Sequence, residues 1–378
     1  SGSLGSGSYA GSLTVSSGAT FQFSSSANQA FGSGSTGALA TGAGTILLNG
    51  SGVVTINGNN AFTGTLNVAQ SVITQGGTNA LKAGLGYATT IEIMNGGLLT
   101  VSGTTDNSFI GIYGTSTNII IDTGGMLTAG ASQNNTYHLY TITMAGGELA
   151  WTNSACLASG PCSQFGTWML DANISVTENS AISAQGLTLT KSGGNSIDVA
   201  SGKTLTFTGS FFRGSSSGND TGFIKAGAGT MYLNPTGSYS TYVGATTISA
   251  GTLKLGNASA LGSTTGSTSI TSGAVLDLNG VNYTNAEALT INGTGISTAG
   301  AVINSSATGA TYAGLVTLGS ASSIVGGTGS ITLSHSGTIT GTYALTLGGA
   351  IGGTITSIIG TSTGTLTKAD AGTWTLNG

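Results

Sequence analysis

The sequence predicts an all-β protein with the fold of a parallel β-helix, in which successive coils of the chain stack their strands on one another. Three observations predict it. Short runs of alternating polar and apolar residues recur along the chain, glycine separates consecutive runs, and paired runs repeat about every 20–30 residues. In such a solenoid each coil adds one strand to every face, at a spacing of about 4.8 Å.

Strand-like runs fill most of the chain. Each holds about four to six β-branched or apolar residues and is closed by Gly, Asn or Ser, as a strand is closed by its turn. No sustained helical spacing of apolar residues with caps occurs, so we expect no long helices. The clearest runs are SLTVSSGATFQF (12–23), TILLNG (45–50), GVVTING (52–58), TGTLNVAQSVI (63–73), TIEIMNGGLLTV (90–101), NIIIDTGGMLTA (118–129) and TITMAGGELAW (141–151).

Glycine lies between the two strands of each repeated unit. The segments MNGGLLTV, DTGGMLTA, MAGGELAW, SAGTLKL and TSGAVLDL all place glycine there, with an apolar residue soon after it. Glycine accepts positive φ, so it suits the corners of a coil. Threonine and valine suit the flat faces, where equal side chains stack from coil to coil. The core of such a coil is thin, and its stability comes from many small stacked contacts.

Composition supports an ordered protein and excludes several classes of partner. Of 378 residues, 67 are Gly and only 5% are charged, which alone would suit a disordered linker, but the mean hydropathy is +0.27. A net charge of −4 with seven Lys and Arg excludes the basic surface of a nucleic-acid binder and a polybasic membrane patch. No apolar run reaches the roughly 18 residues of a membrane span.

The two cysteines, Cys156 and Cys162, lie in the segment SACLASGPCSQ. A Gly-Pro turn brings them close, and a local disulfide suited to an oxidising compartment is the main prediction. Half of a metal site is an alternative, but no second Cys pair or nearby His supplies the further ligands. Two free thiols are the remaining alternative.

No set of residues in the sequence forms a recognisable active site. The eleven carboxylates show no local cluster, although stacking could pair Glu92 with Asp122. His138 and His335 are far apart in the sequence and do not form a pair with each other, and each is expected to be a strand surface residue. No nucleophile elbow and no phosphate-binding loop occurs. We therefore expect no enzyme activity, no cofactor and no metal.

One stretch of the chain resembles a known repeat. Residues 221–263, TGFIKAGAGTMYLNPTGSYSTYVGATTISAGTLKLGNASALGS, closely resemble the passenger-associated β-strand repeat of bacterial autotransporters. Residues 40–50, ATGAGTILLNG, resemble its first half. The positions that match are Lys225, Gly227, Gly229, Thr230, Leu233, Tyr242, Gly244, Thr246, Ile248, Gly251, Leu253, Leu255, Gly256, Leu261 and Gly262. The resemblance implies a right-handed β-helix and export to the surface of a Gram-negative-type bacterium, but no particular activity.

The two ends of the chain resemble complementary halves of this repeat. Residues 363–378, TGTLTKADAGTWTLNG, match its first half, and residues 1–33 match its second half. We therefore expect either tandem repeats of one long chain or subunits that stack head to tail through uncapped ends. The residues expected at this end-to-end interface are Trp374, Leu376 and Asn377 on one side and Tyr9, Leu13, Val15, Phe21 and Phe23 on the other.

These observations lead to a structural hypothesis. Residues 1–378 are expected to form one continuous β-solenoid that extends into a stiff extracellular fibre, a surface or biofilm scaffold. Its binding partner would be the same chain, as a head-to-tail polymer or as tandem repeats of one long chain. The low charge of the chain would allow lateral bundling of neighbouring fibres. The alternative is the stalk of an autotransporter adhesin that attaches cells to surfaces or to each other. A catalytic β-helix ranks third.

Overall fold

The computed structural model describes residues 2–32, 40–57, 61–76, 90–103, 117–130, 136–151, 167–184, 186–209, 211–212, 222–235 and 242–378. Within these ranges the chain forms β-strands and turns, with short 3-10 segments at Gly5–Gly7 and Ile296–Thr298 and no α-helix. Its contacts divide it into two compact units, Ser1–Lys191 and Ser192–Gly378. Each is a solenoid of parallel strands, as the sequence predicts. The right-handed sense and the continuity through both units remain predictions.

The first unit contains strands β1 to β21, with the following bounds: β1 Ser8–Tyr9, β2 Leu13–Thr14, β3 Thr20–Phe23, β4 Gln29–Phe31, β5 Ala40–Gly42, β6 Thr45–Leu48, β7 Val54–Asn57, β8 Ala61–Phe62, β9 Thr65–Val68, β10 Ser71–Gly76, β11 Thr90–Ile93, β12 Leu98–Gly103, β13 Asn118–Asp122, β14 Met126–Ala129, β15 Thr136–Leu139, β16 Thr141–Ala145, β17 Glu148–Leu149, β18 Thr167–Leu170, β19 Ile174–Glu178, β20 Ser180–Ile182 and β21 Leu187–Leu189.

These strands form three faces of the first unit, and every pair of neighbours on a face is parallel. Face A1 contains β1, β4, β7, β10, β12, β14, β17 and β20. Face B1 contains β2, β5 and β8. Further along the chain, β15, β18 and β21 form a separate parallel sheet. Face C1 contains β3, β6, β9, β11, β13, β16 and β19.

The second unit contains strands β22 to β42, with the following bounds: β22 Asn195–Val199, β23 Thr204–Phe207, β24 Phe211–Phe212, β25 Phe223–Ala226, β26 Thr230–Leu233, β27 Thr246–Ile248, β28 Thr252–Leu255, β29 Ser267–Ile270, β30 Val275–Asp277, β31 Asn282–Tyr283, β32 Ala288–Gly293, β33 Val302–Ile303, β34 Ala310–Tyr312, β35 Val316–Val325, β36 Ile331–Leu333, β37 Thr338–Ile339, β38 Leu345–Gly348, β39 Gly352–Ile355, β40 Ile358–Ile359, β41 Leu366–Lys368 and β42 Thr373–Leu376.

The second unit has faces of the same kind. Face A2 contains β23, β26, β28, β30, β33, the second half of β35, β38 and β41. Face B2 contains β31, β34, β36, β39 and β42. Face C2 contains β22, β25, β27, β29, β32 and the first half of β35. The pair β37 and β40 is also parallel.

In-register ladders of apolar side chains fill the core. On face C1 one ladder consists of Phe21, Ile46, Leu66, Ile91, Ile119, Ile142 and Ile174. The strands bury every second residue, so the outward positions between ladder residues are polar or mixed. Each buried Ile or Leu contributes about 1.5–3 kcal/mol. This is why the sequence favours β-branched residues at alternate positions.

The second unit has a ladder of the same type with one exception. On face C2 the column consists of Ile197, Lys225, Ile248, Ile270, Ile291 and Leu318. A lysine therefore occupies a column of large apolar residues, and it is fully buried there. An aromatic cluster lies in the same unit, where the rings of Phe207 and Phe211 stack with centroids 4.5 Å apart.

Candidate functional site

The last coil of the second unit exposes apolar side chains at positions that the preceding coil buries. Leu345 is fully buried, whereas its partner Leu366 in β41 is 44% exposed. Ile355 is fully buried, whereas its partner Leu376 in β42 is 50% exposed. β41 and β42 are the last strands of residues 1–378, so these residues include no further coil that could cover the two side chains.

Two other residues predicted for this end are held by the preceding coil. The indole Nε1 of Trp374 donates to the main-chain oxygen of Gly348 at 2.9 Å, and the side chain is half-buried. The main-chain N–H of Asn377 donates to the main-chain oxygen of Ile355 at 2.8 Å. Both contacts fix the position of β42 against β39. They leave the outer side of β42 without a strand partner among the described residues.

The first coil of the first unit holds the five residues predicted for the opposite end. Val15 and Phe23 are buried, at 4% and 7% exposure, while Tyr9, Leu13 and Phe21 are half-buried. A groove of about 390 Å³ runs beside Phe21 and Phe23, and it is lined by residues 2–4 and 21–25. The contact of these five residues with another coil remains a prediction, as it does for Trp374, Leu376 and Asn377.

Lys225 has the most unusual environment of the motif residues. Its Nζ donates to three main-chain oxygens, those of Ala226 and Gly227 at 2.8 Å and that of Ala250 at 3.1 Å. Two acceptors belong to its own corner, and the third belongs to the corner one coil later. Burial lowers the pKa of Lys225 to about 8, although the carboxylate of Asp198 acts in the opposite direction. The side chain is therefore still charged at pH 7.

Lys368 repeats half of this arrangement in the last coil. Its Nζ donates to the main-chain oxygen of Ala369 and, at 2.7 Å, to that of Asp370. These acceptors follow it by one and two residues, as Ala226 and Gly227 follow Lys225. Asp370 also has the positive φ of Gly227, 59° against 71°. The two corners thus share this hydrogen-bond pattern and a positive φ, but Lys368 is exposed whereas Lys225 is buried.

The motif occupies different corners of the coil in its two copies. Residues 225–230 lead from face C2 to face A2, whereas residues 368–373 lead from face A2 to face B2. The local pattern therefore specifies a corner between two strands rather than a fixed face. Sequence alignment alone did not reveal this shift, because the pattern contains no information about which strands lie beside it.

One pair that the sequence missed joins His138 and Asp171. His138 Nδ1 and Asp171 Oδ2 are 2.5 Å apart, and Thr190 Oγ1 donates to Asp171 Oδ1 at 2.6 Å. His138, expected as a strand surface residue, lies in β15 but is half-buried and pairs with Asp171. The two residues are 33 positions apart and meet because β15 and β18 are neighbouring strands of one sheet. His335, by contrast, accepts a local bond from the main-chain N–H of Gly337.

The carboxylates Glu92 and Asp122 interact across coils, as stacking suggested. Burial and the neighbouring Asp122 raise the pKa of Glu92. Within the described ranges no group of three His, Cys, Asp or Glu side chains could hold a metal ion. In the same ranges, no helix is both long enough and apolar enough to span a membrane. Cys156 and Cys162 lie outside the described residues, and their disulfide remains a prediction.

A second buried group lies in the interior of the second unit. Glu287 is 1% exposed, and its carboxylate accepts bonds from Tyr283 Oη at 2.6 Å and Thr268 Oγ1 at 2.7 Å. Tyr312 Oη donates to the main-chain oxygen of Glu287 at 2.9 Å. Burial raises the pKa of Glu287. The group is closed off from solvent, which favours a structural role over a catalytic one.

Comparison with known proteins gives a match in three segments. Residues 48–70, 223–255 and 366–378 match the family model of the passenger-associated-transport-repeat. Three segments of the chain are therefore similar to this repeat, over 69 of its 378 residues. The second repeat contains Lys225 and the third contains Lys368, so both corners described above are repeat corners. The first overlaps the predicted segment 40–50 only at its end. No curated protein and no solved structure matches the chain.

The passenger-associated-transport-repeats agree with the resemblance noted in the sequence. The predicted segments 221–263 and 363–378 each contain one matched repeat. Passenger-associated-transport-repeats imply a secreted or cell-surface protein, and together with the β-solenoid fold they fit an autotransporter passenger domain. This assignment concerns location and architecture and leaves the activity open.

Proposed function

We propose that this chain is a non-catalytic structural passenger of a Gram-negative-type bacterium, a β-solenoid that lengthens into a stiff extracellular fibre by end-to-end stacking of coils. The observation that supports the proposal is the in-register stacking of coils, in which each coil extends the same columns of apolar side chains. One column of seven residues on face C1 begins at Phe21 and ends at Ile174. Because successive coils present the same kind of column, a further coil can be added through the same type of contact.

The fold supplies the mechanical properties that such a fibre needs. Main-chain hydrogen bonds run along the solenoid from strand to strand, as in other stacked β-structures, and apolar ladders lock their register. A charged content of 5% keeps repulsion between neighbouring fibres small, so lateral bundling belongs to the proposal. A scaffold of a biofilm or cell surface would use both properties.

The stalk of an adhesin is the second candidate, because the repeats are those of passenger proteins. In that role the coils would hold a binding region away from the cell and would not assemble with other molecules. The two candidates therefore differ in one measurable property, the assembly of the purified chain.

Electron microscopy of the purified chain over a range of concentrations tests the proposal, followed by the same sample after boiling in SDS. We expect unbranched filaments that survive boiling. The double variant Leu366→Glu/Leu376→Glu should prevent assembly, because it places charge on the proposed contact. Ile296→Glu is the matched control, since Ile296 is 42% exposed but lies outside the last coil. Single short particles at every concentration would overturn the fibre and favour the adhesin stalk.

A further inference from the structure

Asparagine followed by glycine is a chemically labile step that recurs at the ends of strands in this chain. The main-chain nitrogen of the glycine can attack the asparagine side chain, and glycine has no Cβ to hinder that attack. Four such steps lie within the described ranges and inside the chain, and in each the asparagine follows a large apolar residue. They are Asn49-Gly50, Asn95-Gly96, Asn279-Gly280 and Asn292-Gly293. Because their local sequences are alike, their reactivity in the unfolded chain should be similar.

The next coil accepts the main-chain N–H of the glycine in all four steps. The acceptors are Gln70 Oε1 for Gly50, the main-chain oxygen of Gly124 for Gly96 at 3.2 Å, Asn304 Oδ1 for Gly280 at 2.9 Å and Ser320 Oγ for Gly293 at 2.9 Å. A nitrogen held in this way must first break its hydrogen bond before it can turn toward the asparagine side chain and lose its proton. Stacking of coils therefore slows the reaction.

Three of the four asparagine side chains are also held by the preceding coil. These contacts are Ser24 Oγ to Asn49 Oδ1 at 2.6 Å, Asn279 Nδ2 to the main-chain oxygen of Leu255 at 2.9 Å and Asn292 Nδ2 to the main-chain oxygen of Ile270 at 2.9 Å. Each of these carboxamides is fixed by one coil while the attacking nitrogen is fixed by another. Both contacts must open before the two groups can meet.

Asn95 is the exception. Its side chain is exposed, and within the described ranges its carboxamide makes no hydrogen bond. The N–H of Gly96 has a contact of 3.2 Å, longer than the 2.9 Å of Gly280 and Gly293. A Cβ at Gly96 would meet nothing within 4 Å, so the corner is open to solvent. One contact alone therefore separates the two reacting groups.

We propose that Asn95 is a site of spontaneous deamidation and that coil stacking protects the other three asparagines. The nitrogen of Gly96 loses its proton to water and bonds to Cγ of Asn95, while the Cγ–Nδ2 bond breaks and ammonia leaves. Water then opens the cyclic imide at either carbonyl and gives aspartate or isoaspartate. No oxidant or reductant takes part. The inference does not depend on the proposed fibre.

Ageing of the purified, folded chain in mildly alkaline buffer, followed by peptide mapping with mass spectrometry, tests the site. We expect Asn95 to convert about two- to tenfold faster than each of the other three, the factor that one hydrogen bond contributes. The same incubation in urea is the control, and there all four steps should react at a common rate. Equal rates in the folded chain would overturn the proposal. A preference for Asn95 that persists in urea would also overturn it, because its cause would then be the local sequence.

Removal of one acceptor tests the protection by the next coil. Ser320→Ala takes away the partner of the Gly293 N–H and keeps the bond between Asn292 and Ile270. Conversion at Asn292 should rise about two- to tenfold, while conversion at Asn95 should stay unchanged. Ser320→Thr retains the hydroxyl and is the matched control, with the wild-type rate expected at Asn292. Circular dichroism checks that both variants fold. An unchanged rate at Asn292 in Ser320→Ala would overturn the protective role of the contact.

Discussion

The ammonium of Lys225 and the main-chain oxygen of Ala250 lie 3.1 Å apart and link two successive coils of the second unit. Lys225 occupies a column of isoleucines, directly between Ile197 and Ile248. A charge in such a column is stable only when main-chain oxygens surround it, because burial without partners is costly. The repeat lysine therefore connects corners that side-chain packing alone would leave without a polar contact.

The first prediction concerns the pH dependence of stability. Burial lowers the pKa of Lys225 in the folded chain to about 8, whereas the unfolded value is 10.5. Between these values the unfolded chain binds more protons than the folded chain, so the free energy of unfolding should rise with pH. As the pH falls, this contribution is lost, and the loss is complete once the pH has passed below about 8. Urea unfolding between pH 7.5 and 9.5 measures this rise, at most about 1.4 kcal/mol per pH unit. Lys225→Met should remove it and Lys254→Met should keep it. Equal slopes in all three proteins would contradict the prediction.

The second prediction concerns the buried carboxyl group of Glu287. Its folded pKa is raised by burial, so its contribution to stability is complete below the unfolded value of 4.5 and is lost as pH rises through the folded value. Glu287→Gln imitates the protonated form and should therefore gain stability relative to the wild type as the pH increases from 4 to 7. Unfolding midpoints of both proteins at the two pH values test this. A difference that does not change with pH would show that Glu287 titrates normally.

The third prediction separates backbone strain from steric clash at two glycine corners. Gly227 and Gly202 both have positive φ, 71° and 73°. A Cβ at Gly227 would lie 2.3 Å from the main-chain oxygen of Val199, whereas one at Gly202 meets nothing within 4 Å. Gly202→Ala should cost about 1 kcal/mol from strain alone, and Gly227→Ala about 3 kcal/mol or more. Thermal and urea unfolding compare them. Similar losses would mean that the corner at Gly227 relaxes.

The fourth prediction concerns a buried asparagine at another corner. The side chain of Asn304 is 1% exposed and makes four bonds to main-chain groups. Its partners are Gly280 N, Ser306 N, Thr308 O and Ser330 O. Asn304→Ala leaves these groups without partners and should cost about 2–4 kcal/mol. Asn285→Ala, which removes one bond to the oxygen of Ala258, is the control and should cost less than 1 kcal/mol. A small loss for Asn304→Ala would mean that water replaces the amide.

Local pattern was sufficient to predict the fold, because alternation and corner glycines are properties of single strands and turns. It was not sufficient to predict contacts between coils. His138 and Asp171 meet because β15 and β18 are neighbours, which depends on the length of chain between them. That length does not follow from the residues at either end.

The predicted end residues show the same limit. Alternation and alignment predict the same role for Trp374 and Leu376, yet the indole of Trp374 donates to the main-chain oxygen of Gly348 while Leu376 is half exposed. Val15 and Phe23 are already buried by their own unit. Alignment identifies the repeat position of a side chain, whereas its exposure depends on the neighbouring coil. The burial of Lys225 was missed for the same reason.

The spacing between stacked residues differs along the chain while the strand register is maintained. Leu253 stacks on Met231 after 22 residues, and Ile119 stacks on Ile91 after 28. Extra residues are therefore accommodated between strands and do not displace the ladder. An inserted segment can lengthen one turn of the winding while the turns above and below keep their alignment. Such a fold can gain or lose surface loops during evolution without changes to the residues of its core.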